Sequence, residues 1–344
     1  MEKIAEFSVG LTRILDPAGT VIGDLPAFAD DPDELIALYR GMALTRAFDA
    51  KAIALQRTGR LGTYASSLGQ EAVAVGIGAA MRTDDVLVPS FREHGAQLWR
   101  GVTLQELFLF WGGDERGNDF AGPREDFPNC IPVGTHAPHA VGVALAFRLR
   151  SEPRAAVCVF GDGATSKGDV AEALNMAGVW QAPAVFVVNN NEWAISVPRT
   201  GQSAAETLAQ KAIAAGMPGE HVTEKALERA RTGGGPTLIE ALTYRLADHT
   251  TADDASRYRD DTEVSRRWKE DPVARLRAFL VARDIWTKEQ EEALLHECDA
   301  AVDAAAEAYL ATPPLPPASM FAHTYAELPA ELAAQKDNLT GDGT

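Results

Sequence analysis

Two short, wholly apolar segments constrain the fold of this chain most strongly. They are Ala155–Phe160 and Ala184–Val188, and a segment with a helical pattern, from about Val170 to Trp180, lies between them. A strand, a helix and a second strand in this order form a βαβ unit, in which the strands are parallel. Strands that are apolar on both faces are typical of a sheet that helices cover on each side. The sequence therefore predicts an α/β fold: an open, mostly parallel sheet with helices on both faces.

Polar residues follow each of these two strands directly. Gly161-Asp162-Gly163 comes after the first strand, and Asn190-Asn191 comes after the second. Because parallel strands end at the same crevice, these residues are expected to face one site. A carboxylate and an amide oxygen suit Mg²⁺ or Ca²⁺, and glycines before a helix N-terminus suit a phosphate group. The pair predicts a metal-bound diphosphate, although the Gly-Asp-Gly element alone also fits an ordinary turn with a capping aspartate.

A helix is predicted to begin at Asp31, which can act as the N-cap. Pro32 fits the first helical position, Glu34 can reach back as in a capping box, and Gly59 is a suitable terminator. A second helix is predicted from about Gln70. The same reasoning predicts strands at Val86–Pro89 and Thr237–Thr243 and helices at Pro272–Arg283 and Lys288–Leu310.

We divide the chain of 344 residues into three parts. Residues 1–30 are predicted to form an N-terminal extended arm, and residues 31–311 the diphosphate-binding domain. Residues 312–344 are predicted to form a C-terminal extended tail, which begins at the proline-rich Pro313–Pro317. Within the domain, residues 112–132 are rich in Gly, Asp, Asn and Pro and are predicted to form a long, functional loop.

The composition excludes several classes of protein. A net charge of −17 argues against a nucleic acid or an anionic membrane as the main partner, since both are polyanions. The three cysteines, Cys130, Cys158 and Cys298, form no CxxC pair, so neither a disulfide framework nor a zinc site is expected. The first residues hold no apolar signal segment and no apolar run is long enough to span a bilayer, which makes the cytoplasm the default expectation for location.

Three histidines, His94, His136 and His139, raise the question of a metal cluster. No acidic or cysteine partner completes a ligand set near them in the sequence. Packing or hydrogen bonding is therefore the predicted role of these side chains.

Five longer segments resemble a known family. They are YASSLGQEA (64–72), VPSFREHGAQLWRG (88–101), GDGATSKGD (161–169), NNNEWAIS (189–196) and YRLADHTTADDASRYR (244–259). In this order they resemble the thiamine-diphosphate-dependent alpha subunit of the decarboxylating component of pyruvate and branched-chain 2-oxo acid dehydrogenase complexes. The resemblance runs from about residue 30 to residue 310.

The resemblance implies a set of residues that hold thiamine diphosphate and Mg²⁺. Asp162, Asn191 and the backbone carbonyl of Trp193 would ligate the metal. Gly163 and Ala164 would contact the diphosphate through their backbone amides.

Further residues would line the cofactor. Phe91 and Arg92 match a Tyr-Arg pair that flanks the diphosphate, and the backbone of Ile131 and Val133 would face the pyrimidine. His249 matches a catalytic histidine at the diphosphate end of the active-site channel. From the sequence alone, a surface ion pair is an equally good reading of Arg92, and a solvated loop position is the preferred reading of His249 when the resemblance is left aside.

The resemblance also implies an activity and partners. The activity is oxidative decarboxylation of a 2-oxo acid with acyl transfer to the lipoamide of a dihydrolipoyl acyltransferase core. Pyruvate is preferred because segments 64–72 and 90–95 look closer to pyruvate enzymes, and a branched-chain 2-oxo acid is the alternative because the 244–259 segment is shared with branched-chain enzymes. The chain shows one cofactor-binding half, so a beta subunit in an α₂β₂ heterotetramer would supply the activating glutamate. A phosphate-binding regulatory module without thiamine and a stand-alone thiamine enzyme are the other readings.

The chain departs from the family pattern at several places. Phe91 replaces a tyrosine, Glu192-Trp193 replaces the commoner Gly-Tyr, and Thr250 stands where some relatives carry a regulatory serine. The segment near Met217–Thr223 is shortened. We therefore predict that residues 219–223 form no full-length strand and that the sheet has a gap or a frayed edge there.

Overall fold

A parallel sheet organises the fold in the computed structural model, which describes residues 2–220 and 223–341. Among those residues it has five strands in the order β1-β2-β3-β7-β6, and every neighbouring pair is parallel. A separate antiparallel hairpin consists of β4 and β5. The strands are β1 (Val86–Val88), β2 (Ala156–Gly161), β3 (Ala184–Asn190), β4 (Trp193–Ala194), β5 (Val197–Pro198), β6 (Gly219–Glu220) and β7 (Thr237–Leu242). The predicted α/β class is confirmed.

Helices surround the sheet and form the rest of the domain. They are α1 (Pro32–Arg57), α2 (Glu71–Ala80), α3 (His94–Trp99), α4 (Leu104–Trp111), α5 (Ala137–Leu149), α6 (Gly168–Trp180), α7 (Arg199–Gln202), α8 (Gln210–Ala214), α9 (Thr223–Arg231), α10 (Asp261–Arg267), α11 (Pro272–Ala282), α12 (Lys288–Ala311) and α13 (Ala330–Thr340). None of the described helices combines the length and the apolar character that a bilayer crossing requires.

The alternation of side chains along the strands builds two separate cores. In β2, Ala156, Cys158 and Phe160 pack on one face of the sheet with α5, α6 and α8. Val157 and Val159 point to the other face and pack with α2 and α9. Both faces are covered, which is why β1, β2 and the first five residues of β3 contain only apolar side chains and glycine. Cys158 is fully buried, as expected for a small hydrophobic residue.

The start of α1 was predicted correctly except for one hydrogen bond. The Asp31 carboxylate accepts hydrogen bonds from the backbone N–H groups of Asp33, at 2.9 Å, and Glu34, at 3.4 Å. The expected reciprocal bond from the Asp31 N–H to the Glu34 side chain is wrong. A short 3-10 helix precedes α1, and in it the Asp31 N–H donates to the carbonyl of Phe28 instead.

The terminal segments differ in how far they are extended. Residues 2–14 contain no helix or strand, whereas the rest of the predicted arm contains an antiparallel bridge between Leu15 and Val21 and a 3-10 helix at Ala27–Asp30. The prediction of an extended C-terminal tail is wrong, because it contains a 3-10 helix at Pro317–Phe321 and the helix α13. The proline-rich signal ends at Pro317, and the later sequence AELAAQKDNLT is dominated by residues with high helix propensity. The domain boundaries at residues 30 and 311 stay a prediction.

The shortened segment forms the outermost strand of the sheet. Gly219 and Glu220 pair with Leu238 and Ile239 of β7 only. His221 and Val222 lie outside the described residues, so the prediction remains untested for them. We expected either a gap in the sheet or a frayed edge. The described residues show no gap between neighbouring strands, and β6 is a short strand at the edge of the sheet.

Two helical glycines test how closely α6 packs against Ala215, the residue that follows α8. A Cβ atom on Gly178, in α6, would lie 2.1 Å from the carbonyl oxygen of Ala215, whereas a Cβ atom on Gly142, in α5, would meet nothing within 4 Å. We expect Gly178→Ala to destabilise the protein by about 1–3 kcal/mol through overpacking. Gly142→Ala, the matched control, should be neutral or stabilising by up to about 1 kcal/mol because alanine favours helix. Thermal unfolding of both variants checks this, and equal melting temperatures would contradict the close contact at Gly178.

Candidate functional site

The ends of β2 and β3 place two polar side chains beside each other. Gly161, the last residue of β2, is in register with Asn189 of β3. Asp162 follows β2 directly and starts a 3-10 helix, and Asn191 follows β3 directly. Asp162 is 2% exposed and Asn191 is 5% exposed. The structure therefore brings together the two residues that the sequence predicted would share one crevice.

The Asp162 carboxylate is buried and forms no ion pair among the described residues. Burial raises its pKa, and backbone N–H groups, the Gln202 side chain and the charge of Arg245 oppose that shift. The Gln202 amide donates to Asp162 Oδ2 at 3.2 Å. No ion pair of Asp162 with a lysine, arginine or histidine occurs within residues 2–220 and 223–341. Because a buried unpaired carboxylate is costly, a bound cation would stabilise this position.

Gln70 fixes the orientation of the Asn191 side chain. Asn191 Nδ2 donates to Gln70 Oε1 at 3.0 Å, and Asn191 Oδ1 accepts from the backbone N–H of Trp193 at 3.2 Å. An amide oxygen has two lone pairs, so one remains for a metal ion. Gln70 is 1% exposed, and its Nε2 has no hydrogen-bond partner within the described part of the chain. This buried donor is available to an oxygen of a bound ligand.

The hairpin β4–β5 carries the third expected metal ligand, the carbonyl of Trp193. That carbonyl accepts a hydrogen bond from Arg245 Nη1 at 3.3 Å, which leaves one lone pair. Glu192, the residue before it, has a φ of 69°, in the left-handed region that favours glycine. An ion pair with Arg267, at 2.7 Å, holds the Glu192 side chain. Glu192 thus occupies a backbone conformation that glycine adopts more easily.

Gly163 and Ala164 contribute their backbone to the crevice. A Cβ atom on Gly163 would lie 2.6 Å from Cβ of Ala194, so the hairpin packs against the 3-10 helix only because residue 163 is glycine. The Ala164 side chain is fully buried in the core below the sheet end. The sequence predicted that glycine admits a ligand, and the structure shows that it also admits the hairpin.

His249 lies against Phe91 and Arg92, as the resemblance implied. Arg92 Nη2 is 3.1 Å from Nδ1 of His249 and donates to its backbone carbonyl at 2.8 Å. The rings of Phe91 and His249 meet edge to face with centroids 6.3 Å apart. Arg92 is 7% exposed, and it also donates to the carbonyl of Ser66. Arg92 is therefore no surface ion pair, and His249 is a partly buried loop residue with both Arg92 and Phe91 as neighbours.

Arg245 is a site residue that the sequence interpretation missed. Its side chain is fully buried, and it donates to the carbonyl of Ile195 at 2.8 Å and to the hydroxyl of Tyr258 at 2.9 Å. Its Nη1 is 3.5 Å from Nδ1 of His249. No carboxylate forms an ion pair with it in the described residues, and burial lowers its pKa. Arg245 lies between the end of β7 and His249, and this position was the only signal that the sequence offered. A sequence does not show that an arginine side chain is buried.

The loop that precedes α5 forms one rim of the crevice. Ile131 and Val133 are exposed, at 50% and 42%. The N–H of Cys130 donates to the carbonyl of Ser90 at 3.2 Å, which ties the loop to the end of β1. Gly134 packs against Ala164, since a Cβ atom on Gly134 would lie 3.6 Å from Cβ of Ala164. The loop that carries Ile131 and Val133 thus reaches the turn at Gly163 and Ala164, while the cofactor contacts of all four residues stay a prediction.

The remaining histidines form no metal cluster. In the residues that the structure describes, no group of three His, Cys, Asp or Glu side chains could hold a metal ion. A metal at Asp162 would instead use amide and carbonyl oxygens as its other protein ligands. His94 accepts a hydrogen bond from Trp111 Nε1 at 3.0 Å, and burial lowers its pKa to about 3. His136 Nε2 lies 2.8 Å from the carbonyl of Val159, so the predicted packing and hydrogen-bonding roles are confirmed for both.

Comparison with known proteins identifies the family. A family model described as "Dehydrogenase E1 component" matches residues 39–318. The chain is 39% identical over 342 residues to the "3-methyl-2-oxobutanoate dehydrogenase subunit alpha" of Mycobacterium tuberculosis, covering 96% of this chain and 93% of that protein. It is 38% identical over 339 residues to the "Pyruvate dehydrogenase E1 component subunit alpha" of Staphylococcus aureus, covering 94% of this chain and 91% of that protein. The chain belongs to the thiamine-diphosphate-dependent dehydrogenase E1 component family, as the alpha subunit of a 2-oxo acid dehydrogenase.

Proposed function

We propose that this chain binds thiamine diphosphate and Mg²⁺ in the crevice at the ends of β2 and β3. With a beta subunit, in an α₂β₂ heterotetramer, it catalyses oxidative decarboxylation of pyruvate and acyl transfer to the lipoamide of a dihydrolipoyl acyltransferase core. The observation that carries this proposal is the buried Asp162 carboxylate, which forms no ion pair in the described residues and follows the strand next to the one that Asn191 follows.

The residues present fit a metal diphosphate. Asp162, Asn191 and the Trp193 carbonyl are hard oxygen donors suited to Mg²⁺. Gln70 Nε2 is a buried donor without a partner in the described residues, and Arg92 carries a guanidinium group able to bind phosphate oxygens. When bound, thiamine diphosphate supplies the chemistry that decarboxylates a 2-oxo acid and carries the acyl group.

The work of this chain is to bind and to orient. The metal ligands and the backbone amides of Gly163 and Ala164 would fix the diphosphate, and Arg92 would neutralise part of its charge. Phe91 has no hydroxyl group, so its contribution is the apolar edge that it presents to His249. Burial of these groups excludes water, which strengthens each electrostatic contact.

Exposed apolar side chains at the rim of the crevice favour the presence of a partner subunit. Ile131, Val133 and Ile195 are exposed at 50%, 42% and 55%, and all three lie on segments next to the site. Exposed apolar side chains beside a binding site are typical of a surface that another chain covers. A beta subunit placed there would supply the glutamate that activates the cofactor.

Two substrates are supported by different relatives. The Staphylococcus aureus relative is named a pyruvate dehydrogenase subunit, and the Mycobacterium tuberculosis relative a 3-methyl-2-oxobutanoate dehydrogenase subunit, at nearly equal identity. We favour pyruvate because the 64–72 and 90–95 segments look closer to pyruvate enzymes. The branched-chain acid is the second candidate.

The assignment of the metal site predicts the effect of Asp162→Asn. Asparagine preserves the shape but removes the charge, so Mg²⁺-dependent binding of thiamine diphosphate to the reconstituted α₂β₂ complex should weaken by about 100-fold or more. Loss of a residue that only orients a metal ligand already weakens metal binding by about 10- to 100-fold, and Asp162 would contact the metal itself. Isothermal titration calorimetry measures this affinity. Without cofactor, the variant should be at least as thermally stable as the wild type, because a buried unpaired charge is removed.

Asp299→Asn provides the control, since it makes the same chemical change at an exposed position of α12. It should bind the cofactor as the wild type does. Wild-type affinity in the Asp162→Asn complex would refute the metal site.

The substrate proposal predicts a ranking of rates. The reconstituted complex should have a kcat/KM for pyruvate at least about 10-fold above that for 3-methyl-2-oxobutanoate, since a pocket built for a methyl group excludes an isopropyl group. Steady-state decarboxylation assays with both acids, and with 2-oxobutanoate as an intermediate size, give the ratio. The opposite ranking would assign the chain to branched-chain oxidation.

A further inference from the structure

One loop, residues 64–70, supports both kinds of expected ligand in the candidate site. It lies between α1 and α2. The backbone carbonyl of Ser66 accepts a hydrogen bond from Arg92, the side chain expected to bind phosphate. At the other end of the loop, Gln70 Oε1 accepts from Asn191 Nδ2 at 3.0 Å, which orients an expected metal ligand. A displacement of the loop would therefore move both ligands.

The same loop also holds the polar segment that follows β7. The backbone N–H of Thr251 donates to the carbonyl of Tyr64 at 2.9 Å, and the N–H of Leu246 donates to the carbonyl of Leu68 at 3.3 Å. The hydroxyl of Thr251 in turn accepts from the N–H of Tyr64 at 3.0 Å. Three separate parts of the site are thus tied to one short stretch of chain.

A single carboxylate of α1 fixes this loop. Asp49 Oδ1 accepts from the hydroxyl of Tyr64 at 2.8 Å. The same oxygen accepts from the backbone N–H of Ser67 at 2.7 Å and from its hydroxyl at 3.3 Å. Asp49 Oδ2 accepts from the hydroxyl of Ser66 at 2.6 Å. All four residues are at most 4% exposed, and buried donors that lose a charged acceptor are costly, so Asp49 strongly favours this one loop conformation.

A chain of hydrogen bonds with one direction ends on the same carboxylate. Trp111 Nε1 donates to His94 Nε2 at 3.0 Å, so the proton of this imidazole, whose pKa burial lowers to about 3, resides on Nδ1. Nδ1 lies 3.4 Å from the hydroxyl of Tyr64, which donates to Asp49. Each bond in such a chain polarises the next, and the charged acceptor at its end stabilises the whole chain.

We propose that Asp49 is a positioning residue for the thiamine diphosphate and Mg²⁺ site. Through the 64–70 loop it sets the Ser66 carbonyl that holds Arg92 and the Gln70 amide that orients Asn191. It acts through these residues and not by contact with the cofactor, because the loop encloses its carboxylate. The inference rests on the proposed function, since it presumes that a metal diphosphate occupies the crevice.

Two substitutions grade the loss of this carboxylate. Asp49→Ala removes every acceptor, whereas Asp49→Asn keeps one oxygen for Tyr64 and Ser67 and offers a donor to the hydroxyl of Ser66. In the reconstituted α₂β₂ complex, Asp49→Ala should weaken Mg²⁺-dependent binding of thiamine diphosphate by about 10- to 100-fold, as for loss of a residue that orients a metal ligand. Asp49→Asn should lie between this variant and the wild type. At saturating cofactor, kcat should stay close to the wild-type value in both, because the bound ligand itself orders the loop.

Asp85→Ala is the matched control. Asp85 is 1% exposed and precedes β1, at the opposite end of the strand from Arg92. Its carboxylate accepts from the backbone N–H groups of Arg82, at 2.8 Å, and Ala155, at 2.9 Å, and pairs with Arg231. Both alanine variants should therefore melt at lower temperature than the wild type, but only Asp49→Ala should lose cofactor affinity.

Titration calorimetry measures these affinities. Equal losses of affinity in Asp49→Ala and Asp85→Ala would overturn the proposal, because they would reflect general destabilisation. A lower kcat at saturating cofactor with unchanged affinity would overturn it as well. If Asp49→Ala does not assemble with the beta subunit, Asp49→Asn carries the test, and wild-type affinity in that variant would count against the proposal.

Amide hydrogen exchange separates this proposal from the proposed function. In the complex without cofactor, Asp49→Ala should speed exchange in the 64–70 loop and at Leu246 and Thr251, whose N–H groups bind that loop. Asp85→Ala should leave these amides unchanged. Unchanged exchange in the loop of Asp49→Ala would overturn the proposal even in a complex that binds thiamine diphosphate. Faster exchange there, in a protein whose wild type binds no thiamine diphosphate, would instead refute the proposed function and leave Asp49 as the residue that fixes the loop.

Discussion

The parallel pairing of β2 with β3 is the interaction on which the rest of the site depends. Its register sets Gly161 opposite Asn189, so Asp162 and Asn191 emerge from neighbouring strand ends into one crevice. The pairing is secured on both faces, since alternate residues of each strand pack into separate apolar cores. A shift of one residue would reverse every one of these side chains, which makes the register strongly specified. The positions of these two side chains are therefore a consequence of core packing.

The charges around this crevice are arranged for a ligand that carries both signs. Asp162 is a buried anion, Arg92 and Arg245 are buried cations, and none of the three forms an ion pair among the described residues, although Arg245 attracts Asp162 from a longer distance. Isolated buried charges are unfavourable, and pairing them directly would close the site. A divalent metal beside Asp162 and a phosphate group beside Arg92 would compensate each charge in turn. Burial, together with the charges of the same two guanidinium groups, lowers the pKa of His249 to about 4.

The sequence predicted the local features of this structure and missed those that depend on tertiary contacts. The sequence placed β2, β3, Asp162 and Asn191 correctly. A buried strand is recognised from a continuous apolar run, and the Gly-Asp-Gly and Asn-Asn elements follow these runs directly, so both signals lie in short continuous segments. Arg245 and Gln70 were missed, since nothing in their neighbours shows that a long polar side chain is buried. The helix α13 was not predicted because the prolines before it indicated an extended tail. The Asp31 N–H bond was misassigned because the 3-10 helix that uses it comes from the preceding segment.

The most direct test of this account is the binding of thiamine diphosphate to the wild-type chain, measured by titration calorimetry with and without Mg²⁺ and with and without a beta subunit. The account predicts binding that requires the metal, because the anion at Asp162 would otherwise face the diphosphate, and that is much tighter when the beta subunit covers the crevice. Equal binding in the presence of a metal chelator would contradict the central role of Asp162. Full-strength binding by the alpha chain alone would contradict the shared site.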